Sequence, residues 1–314
     1  MASEALLLDS SMTVEALVGD YVNNLKITYK NELNDNLGAE GGNSGNGDYT
    51  EYNLPDFSEN TTIVYPLGDI HFSHGGAGCL QIKGPGQFYA HGDIYVTGCV
   101  HFENIKLYAG RSIHFEDSIS SHHLMAYTEK NLYILGTSVL DIQAMAEIKI
   151  VMEEQAQTTY ASVLISTGLQ SKDVQKPLPP LKGVKAKGKV STGKAPSKTM
   201  IHSGIYLKDQ VQGRGIFIAT GMNGTFELSS EESEVNGIIL SAKQAWINGL
   251  LKGVLMTNSL VCQREGRERG EHCLENGEIK RQEMSPQIVL PLDLGKGILS
   301  EVDFKLLDWE WEKE

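Results

Sequence analysis

A short apolar segment recurs along the first half of this chain at a nearly constant spacing. Its copies occupy residues 68–72, 92–96, 111–115, 130–134 and, more weakly, 146–150. The central apolar residues are Ile70, Ile94, Ile113, Leu132 and Ile148, and their spacings are 24, 19, 19 and 16. The two equal steps of 19 predict that Ile94, Ile113 and Leu132 occupy the same position in successive copies of a repeated unit.

Two further apolar positions accompany this segment, so that each repeat holds three short strands. One position contains residues 88–90 and 107–109, and the other contains residues 100–102, 119 and 139–142. Three strands in about 19 residues are typical of one coil of a parallel β-helix. A single coil cannot bury its apolar face alone, so successive coils must stack about 4.8 Å apart around a file of aliphatic side chains.

Two segments interrupt the pattern. An insertion at residues 74–78 explains the 24-residue step and predicts a loop at a corner of the coil. Residues 169–198 carry eight lysines and one acid, and we interpret them as a basic insertion within one solenoid, since the strand pattern resumes at residue 201. The favoured interpretation of this basic insertion is a solvated loop, and the alternative is a segment that binds a polyanion.

The two ends of the chain differ from the repeats. Residues 4–31 predict an amphipathic helix because apolar residues recur three and four positions apart, with Ser10 or Ser11 as the candidate N-cap. Residues 34–46 are rich in Gly and Asn and predict a loop. We expect the helix to cover one end of the solenoid and residues 306–311 to cap the other, because a bare terminal coil is an exposed sheet edge.

These features predict an all-β fold, a single-stranded parallel β-helix or solenoid with an N-terminal α-helix and a C-terminal cap. We expect the coils to be right-handed because that is the commoner form for coils of this length. The predicted organisation is an N-terminal helix and Gly-rich loop at residues 1–61, followed at residues 62–314 by the solenoid with its basic insertion at 169–198 and its cap.

Composition and motifs narrow the classes of function. The formal net charge of −13 argues against general nucleic-acid binding, since phosphate contacts require clustered Lys and Arg. No apolar run of about 18 residues is present, and Leu6, Leu7 and Leu8 are too short a run for a secretory leader. We predict no cofactor, no metal site and no catalytic residue, because the sequence has no phosphate-binding loop, nucleophile elbow or zinc-protease helix.

The four cysteines are Cys79, Cys99, Cys262 and Cys273, and the lack of a Cys-x-x-Cys pair argues against a thiolate zinc site. Cys79 and Cys99 are 20 residues apart, close to the repeat period, and Cys262 and Cys273 flank a polar segment. Disulfides within these two pairs are one expectation, and four free buried thiols are the other. Disulfides would indicate an oxidising compartment.

Aromatic and histidine residues of the repeat predict a ladder on the outer wall. Strand alternation points four side chains outward at one repeat position, namely His71, Tyr95, His114 and Tyr133. His71 and His114 would then lie two coils, or roughly 10 Å, apart, which is too far for them to share one metal ion. The adjacent pair His122 and His123 lies at a predicted turn and has no evident partner in the sequence.

Asp69 and Asp93 also occupy one repeat position in adjacent coils. Two such carboxylates suit either a calcium ion or an acid/base pair. Ser112 and Asn131 hold the same position in the next two copies, so the acidic column ends after two members. The favoured interpretation is therefore a column of polar turn residues that bond nearby backbone.

Residues 4–12, 235–254 and 307–310 are the parts of the chain that resemble a known family, the type IV pilin-like proteins of the accessory, minor-pilin type. Residues 4–12 resemble the acid-bearing helix that follows the membrane helix in such proteins, and residues 235–254 are similar to coils in some of their large ectodomains. Residues 307–310 are similar to their hydrophobic, Trp-containing C-terminal finish. The resemblance implies a structural component of the cell envelope or exterior, with an N-terminal membrane helix that this sequence lacks. It implies other envelope or pilus proteins, or a surface glycan, as partners.

The favoured function is a non-enzymatic, structural or adhesive bacterial surface protein, with the cytoplasm as the alternative location. The first alternative is a carbohydrate-active β-helix enzyme, either a polysaccharide lyase or a hydrolase. Its candidate acids are Asp69, Asp93, Glu103 and Asp117. The second alternative is a bactofilin-like cytoskeletal polymer that stacks end to end, which the predicted caps oppose.

Overall fold

A computed structural model of the 314-residue chain describes residues 13–38, 45–50, 53–54, 61–168, 203–221, 224–263, 269–271 and 277–280. For residues 262, 263 and 269–271 the backbone alone is described. The described part of the chain forms one α-helix, α1 (Val14–Leu37), and 21 β-strands. No helix within these ranges is both long enough and apolar enough to cross a bilayer.

Twelve strands precede residue 169 and nine follow residue 202 in the described part of the chain. The first twelve are β1 (Gly47–Tyr49), β2 (Thr61–Tyr65), β3 (Ile70–His74), β4 (Leu80–Ala90), β5 (Ile94–Ala109), β6 (Ile113–Phe115), β7 (Ser118–Thr128), β8 (Asn131–Ile134), β9 (Val139–Ala146), β10 (Lys149–Met152), β11 (Gln157–Thr158) and β12 (Val163–Ser166). The other nine are β13 (Gly204–Leu207), β14 (Gln212–Ala219), β15 (Thr225–Leu228), β16 (Glu234–Ser241), β17 (Gln244–Ile247), β18 (Leu250–Thr257), β19 (Leu260–Gln263), β20 (Arg269–Glu271) and β21 (Glu278–Ile279).

The strands wind into a parallel β-solenoid of about nine turns, which confirms the predicted fold class. One side of the coil is formed by β1, β3, the start of β5, β6, β8, β10, β13, β15, β17 and β19. The other long strands follow the two remaining sides and bend between them, since β9 pairs with β11 through its first half and with β12 through its second. Because β10 pairs directly with β13, the stack continues across the interval that holds the basic insertion.

Aliphatic columns fill the interior, as the 19-residue period predicts. The first column contains, coil by coil, Ile70, Ile94, Ile113 and Leu132, which are direct register partners. All four side chains are fully buried. The prediction that Ile94, Ile113 and Leu132 lie over one another is therefore confirmed.

The predicted fifth member of this column was wrong. Leu132 pairs with Ile150 rather than with Ile148, so this step is 18 residues. The step is short because β7 has two residues at its bend, His122 and His123, where β9 has only Asp141. Isoleucines at both 148 and 150 made the two alignments indistinguishable by residue type.

The long 24-residue step has two structural sources. Five residues, 75–79, separate His74 from Leu80, whereas Cys99 alone separates the register partners Gly98 and Val100. The predicted corner loop therefore holds four of the five extra residues. The fifth lies at the bend of β4, where residues 84–85 stand opposite the single residue Asn104 of β5.

Helix α1 begins and ends later than the sequence predicts. Its N-cap is Thr13, whose Oγ1 accepts a hydrogen bond from the Ala16 backbone N–H at 3.1 Å, so the assignment of the cap to Ser10 or Ser11 was wrong. The helix continues to Leu37, through residues 34–37 of the predicted loop. Leu33 is buried and Leu37 packs beside it, and this burial outweighs the low helix propensity of residues 34–36. Residues 4–12 lie outside the described residues.

The helix lies along the wall of the solenoid and does not cover an end, so that prediction was also wrong. It covers an outward apolar column whose members are Tyr89, Tyr108, Tyr127, Met145, Ile165, Ile218, Leu240 and Met256. Helix residues Val14, Val18, Val22 and Leu33 are buried in the same cluster. A helix of 24 residues is about 36 Å long, and seven steps of about 4.8 Å give a column of about 34 Å. The helix therefore matches the height of the column that it covers.

Short segments cover the ends of the described stack. At the first coil, the Tyr49 ring stacks on Phe72 with a centroid distance of 5.2 Å and contacts Phe88 edge-on. At the last coils, β20 pairs antiparallel with β19, and β21 pairs with β18. The C-terminal cap predicted at 306–311 lies outside the described residues.

Three glycines form a column at the bend of the later coils. Gly215, Gly237 and Gly253 are register partners on β14, β16 and β18. A Cβ atom on Gly237 would lie 1.9 Å from the carbonyl oxygen of Gly215, which leaves no room for a side chain. Close approach of the backbones is thus the reason for glycine at this bend.

We expect the Gly237→Ala substitution to destabilise the solenoid by about 1–3 kcal/mol or more, because the strand must move to admit a methyl group. Gly19→Ala is the matched control, since Gly19 lies in α1 and has no atom within 4 Å of its Cβ position. It should stabilise the protein by about 0.5–1 kcal/mol. Thermal and denaturant midpoints measure both effects, and equal midpoints for Gly237→Ala and wild type would contradict the packing of this bend.

Candidate functional site

Asp69 and Asp93 lie at the turn that precedes one side of the coil, and each bonds to the coil that follows it. The Asp69 carboxylate accepts a hydrogen bond from the Asp93 backbone N–H at 2.7 Å, and Asp93 accepts one from the Ser112 N–H at 2.8 Å. Arg111 Nη2 lies 2.9 Å from Asp69 and 3.0 Å from Asp93, and the hydrogen bond that the guanidinium donates to Asp69 raises the pKa of the guanidinium. Backbone donors and a shared cation therefore engage both carboxylates.

The two other acids considered for an enzyme do not join this pair. Asp117 lies at the turn after β6 and accepts a hydrogen bond from the Gly98 N–H at 3.0 Å. Glu103 lies on β5 beside Lys83, with 3.9 Å between carboxylate oxygen and ammonium nitrogen. Of the four candidate acids, the structure brings only Asp69 and Asp93 together, and Arg111 lies against both.

The ring ladder on the wall has regular geometry. His71, Tyr95, His114 and Tyr133 stack in that order, with centroid distances of 5.0, 4.7 and 4.7 Å and interplanar angles of 19–20°. The ring faces are turned toward one another along the stack, so the ring edges point to solvent. Tyr95 separates His71 from His114, and the ladder does not form a shared metal site. Burial lowers the pKa of His114, while Asp93 and Glu116 oppose that shift.

The first two cysteines fix a corner of the coil. Cys79 and Cys99 form a disulfide with their Cα atoms 4.6 Å apart. In the next two coils the same corner holds Ser118 and Thr137, whose hydroxyl oxygens are 2.7 Å apart and hydrogen-bonded. The Cys262 side chain and Cys273 lie outside the described residues.

A buried carboxylate anchors α1 to the wall. Glu147 is almost fully buried, and its oxygens lie 3.1 Å from Lys26 Nζ and 3.5 Å from Lys30 Nζ. The Tyr127 hydroxyl donates to Glu147 at 2.5 Å, and Lys30 also reaches Glu129 at 3.3 Å. Burial alone would lower the pKa of Lys30, but Glu147 and Glu129 outweigh it and raise that pKa.

The tyrosines beneath the helix are held in their neutral form. Tyr29 of α1 packs against the Tyr108 and Tyr127 rings, and the Tyr108 hydroxyl donates to the Glu32 carboxylate. Burial, reinforced by nearby Glu32, raises the pKa of Tyr29 and of Tyr89 to about 12 in each case. Ionisation of these phenols therefore opposes docking of the helix.

One cluster was not recognised from the sequence. His122 Nδ1 lies 3.2 Å from an Asp141 carboxylate oxygen, and the His122 and His123 ring centroids are 3.9 Å apart. The His123 backbone N–H also donates to Asp141, at 3.3 Å. Asp141 follows His122 by 19 residues, so the repeat period itself contained the signal that joins them.

We expect the stability of the protein to fall as the pH rises from 10 to 12. In that range the unfolded chain releases tyrosine protons at the ordinary pKa of about 10, whereas folded Tyr29 and Tyr89 retain theirs up to about 12. The stabilisation is thus complete below pH 10 and is lost as the pH approaches the folded values. Denaturant unfolding at several pH values measures this slope. The Tyr89→Phe variant should show a shallower slope, and an unchanged slope would contradict the assignment.

Comparisons of this chain with protein-family models, with curated proteins and with solved structures find no match. The architecture, a parallel β-solenoid with a helix along its wall, is therefore established by the strand register and the packing alone. The function has to be argued from the wall residues and their partners.

Proposed function

We propose that the protein is a non-catalytic structural component of a bacterial cell surface, a rigid rod that serves in assembly or adhesion. The observation that carries this proposal is that polar residues on the wall of the described repeats contact residues of the neighbouring coils. Carboxylates, hydroxyls and rings bond or stack from one coil to the next. Such a wall stiffens the stack, and the paired Asp69 and Asp93 are occupied by Arg111.

The docking of α1 supports a mechanical role. The helix packs on a column that runs from β4 to β18, and its lysines pair with Glu147 and Glu129. A force applied to the helix is therefore distributed over most of the coils. In the pilin-like arrangement that the sequence resembles, a helix of this kind connects an envelope anchor to the ectodomain. The partners in this proposal are other envelope or pilus proteins, or a surface glycan.

The disulfide supports a location outside the cytoplasm. Cys79 and Cys99 are bonded across adjacent coils, and such bonds persist in oxidising compartments and are rare in the cytosol. The bond ties the end of the corner loop of the 24-residue step to the next coil. Export and a covalent staple at this loop are consistent with a rod that works under load.

We expect Cys79 and Cys99 to resist a membrane-permeant alkylating reagent in intact cells that produce the protein, and to react only after reduction. Peptide mass spectrometry reads each cysteine separately. The Cys79→Ser variant is the control, because it leaves Cys99 with a free thiol that should be alkylated directly. Direct alkylation of both cysteines in the unmodified chain would place the protein in a reducing compartment and contradict the proposal.

We also expect no turnover of acidic polysaccharides, with or without calcium, because Arg111 neutralises the paired carboxylates that a lyase or hydrolase would use. Release of unsaturated or reducing ends above that of heat-treated protein would contradict a non-catalytic role. The Asp93→Asn variant then identifies the site, since activity that disappears with this change would assign it to the Asp69 and Asp93 pair.

A further inference from the structure

We propose that His122, His123 and Asp141 form a binding site for a divalent transition-metal ion of the zinc, nickel or copper type. His122 and His123 lie at the bend of β7, and Asp141 lies at the matching bend of β9 in the next coil. Each offers one ligand atom, and these atoms lie within 4.8 Å of one another. His122 Nδ1 and Asp141 Oδ2 are 3.2 Å apart.

The local backbone brings two consecutive side chains together. In a regular strand, neighbouring residues point to opposite faces. At this bend the register between β7 and β9 shifts between Ser121 and Leu124, and His123 adopts a positive φ of 55°. The bulge leaves both imidazoles on the outer surface with their centroids 3.9 Å apart.

The distances suit a small ion with short bonds. Donor atoms around a tetrahedral zinc ion lie roughly 3.3 Å apart, since its bonds to imidazole nitrogen and carboxylate oxygen are about 2.0–2.2 Å. The spacing of 3.2 Å between His122 and Asp141 already meets this requirement. Both imidazoles are exposed, so their side-chain torsions are free to adjust the remaining ligand-to-ligand distances, which are at most 4.8 Å.

The chemistry of the three ligands selects the class of ion. Two imidazoles and one carboxylate favour zinc, nickel or copper, whereas calcium and magnesium prefer sites made of oxygen alone. Asp141 on β9 is held in place by the neighbouring strand β7, because its carboxylate accepts a hydrogen bond from the His123 backbone N–H at 3.3 Å. Three protein ligands leave at least one position of the ion for water.

Zinc titration of the full-length, untagged chain by calorimetry tests this proposal. We expect one equivalent of Zn²⁺ to bind to the unmodified chain. His122→Asn and Asp141→Asn should each lower the affinity at least about tenfold, since even outer-shell changes commonly lower metal affinity by that factor. His123→Asn should lower the zinc affinity by a similar factor. Asparagine tolerates the positive φ at this position, so the backbone conformation of the bulge should be retained.

His91→Asn is the matched control, because His91 is an exposed histidine outside the cluster, and this change should leave zinc affinity unaltered. Thermal midpoints without metal check that every variant folds, and Co²⁺ absorption provides a second readout of imidazole ligation. Absence of zinc binding to the unmodified chain would overturn the proposal. So would binding that survives both His122→Asn and Asp141→Asn, because the ion would then lie elsewhere.

Discussion

The open apolar face of each coil is the constraint on which the rest of this structure depends. A coil of about 19 residues cannot close its own core, so each residue gains neighbours one period before and after it. The surroundings of a side chain are therefore determined by the column in which it lies. Ile94 and Ile113 lie in the interior column, and Tyr108 and Tyr127 lie in the outward column beneath α1.

The interior could be predicted because its columns keep both their residue type and their spacing. The period identifies Ile94, Ile113 and Leu132 as partners, and the strand register confirms it. It failed at Ile148 because the loss of one bend residue shortened the coil while a second isoleucine, Ile150, offered an equivalent match. Period reasoning is thus sensitive to single-residue changes at bends, where the length of a coil is set.

The prediction for α1 was wrong for a different reason. Residues 88–90 and 107–109 are apolar on both faces, and a continuous apolar run does not reveal which face lies inward. Phe88 points into the core, whereas Tyr89 points to the helix. The second buried face was the signal that another element covers the wall. The apolar stripe of α1 is about as long as the outward apolar column is high, and it is the surface that packs on that column.

The same geometry explains where chemistry can arise on such a wall. Side chains at equivalent strand positions are about 4.8 Å apart, a spacing that suits stacked rings such as Tyr95 and His114. It is too wide for two ligands of one small ion unless the side chains converge. A bulge removes that limit, because it turns consecutive residues to the same side, as it does at His122 and His123. In the later coils glycine occupies the bend, as at Gly237, and there the backbones of neighbouring coils approach too closely to admit a side chain.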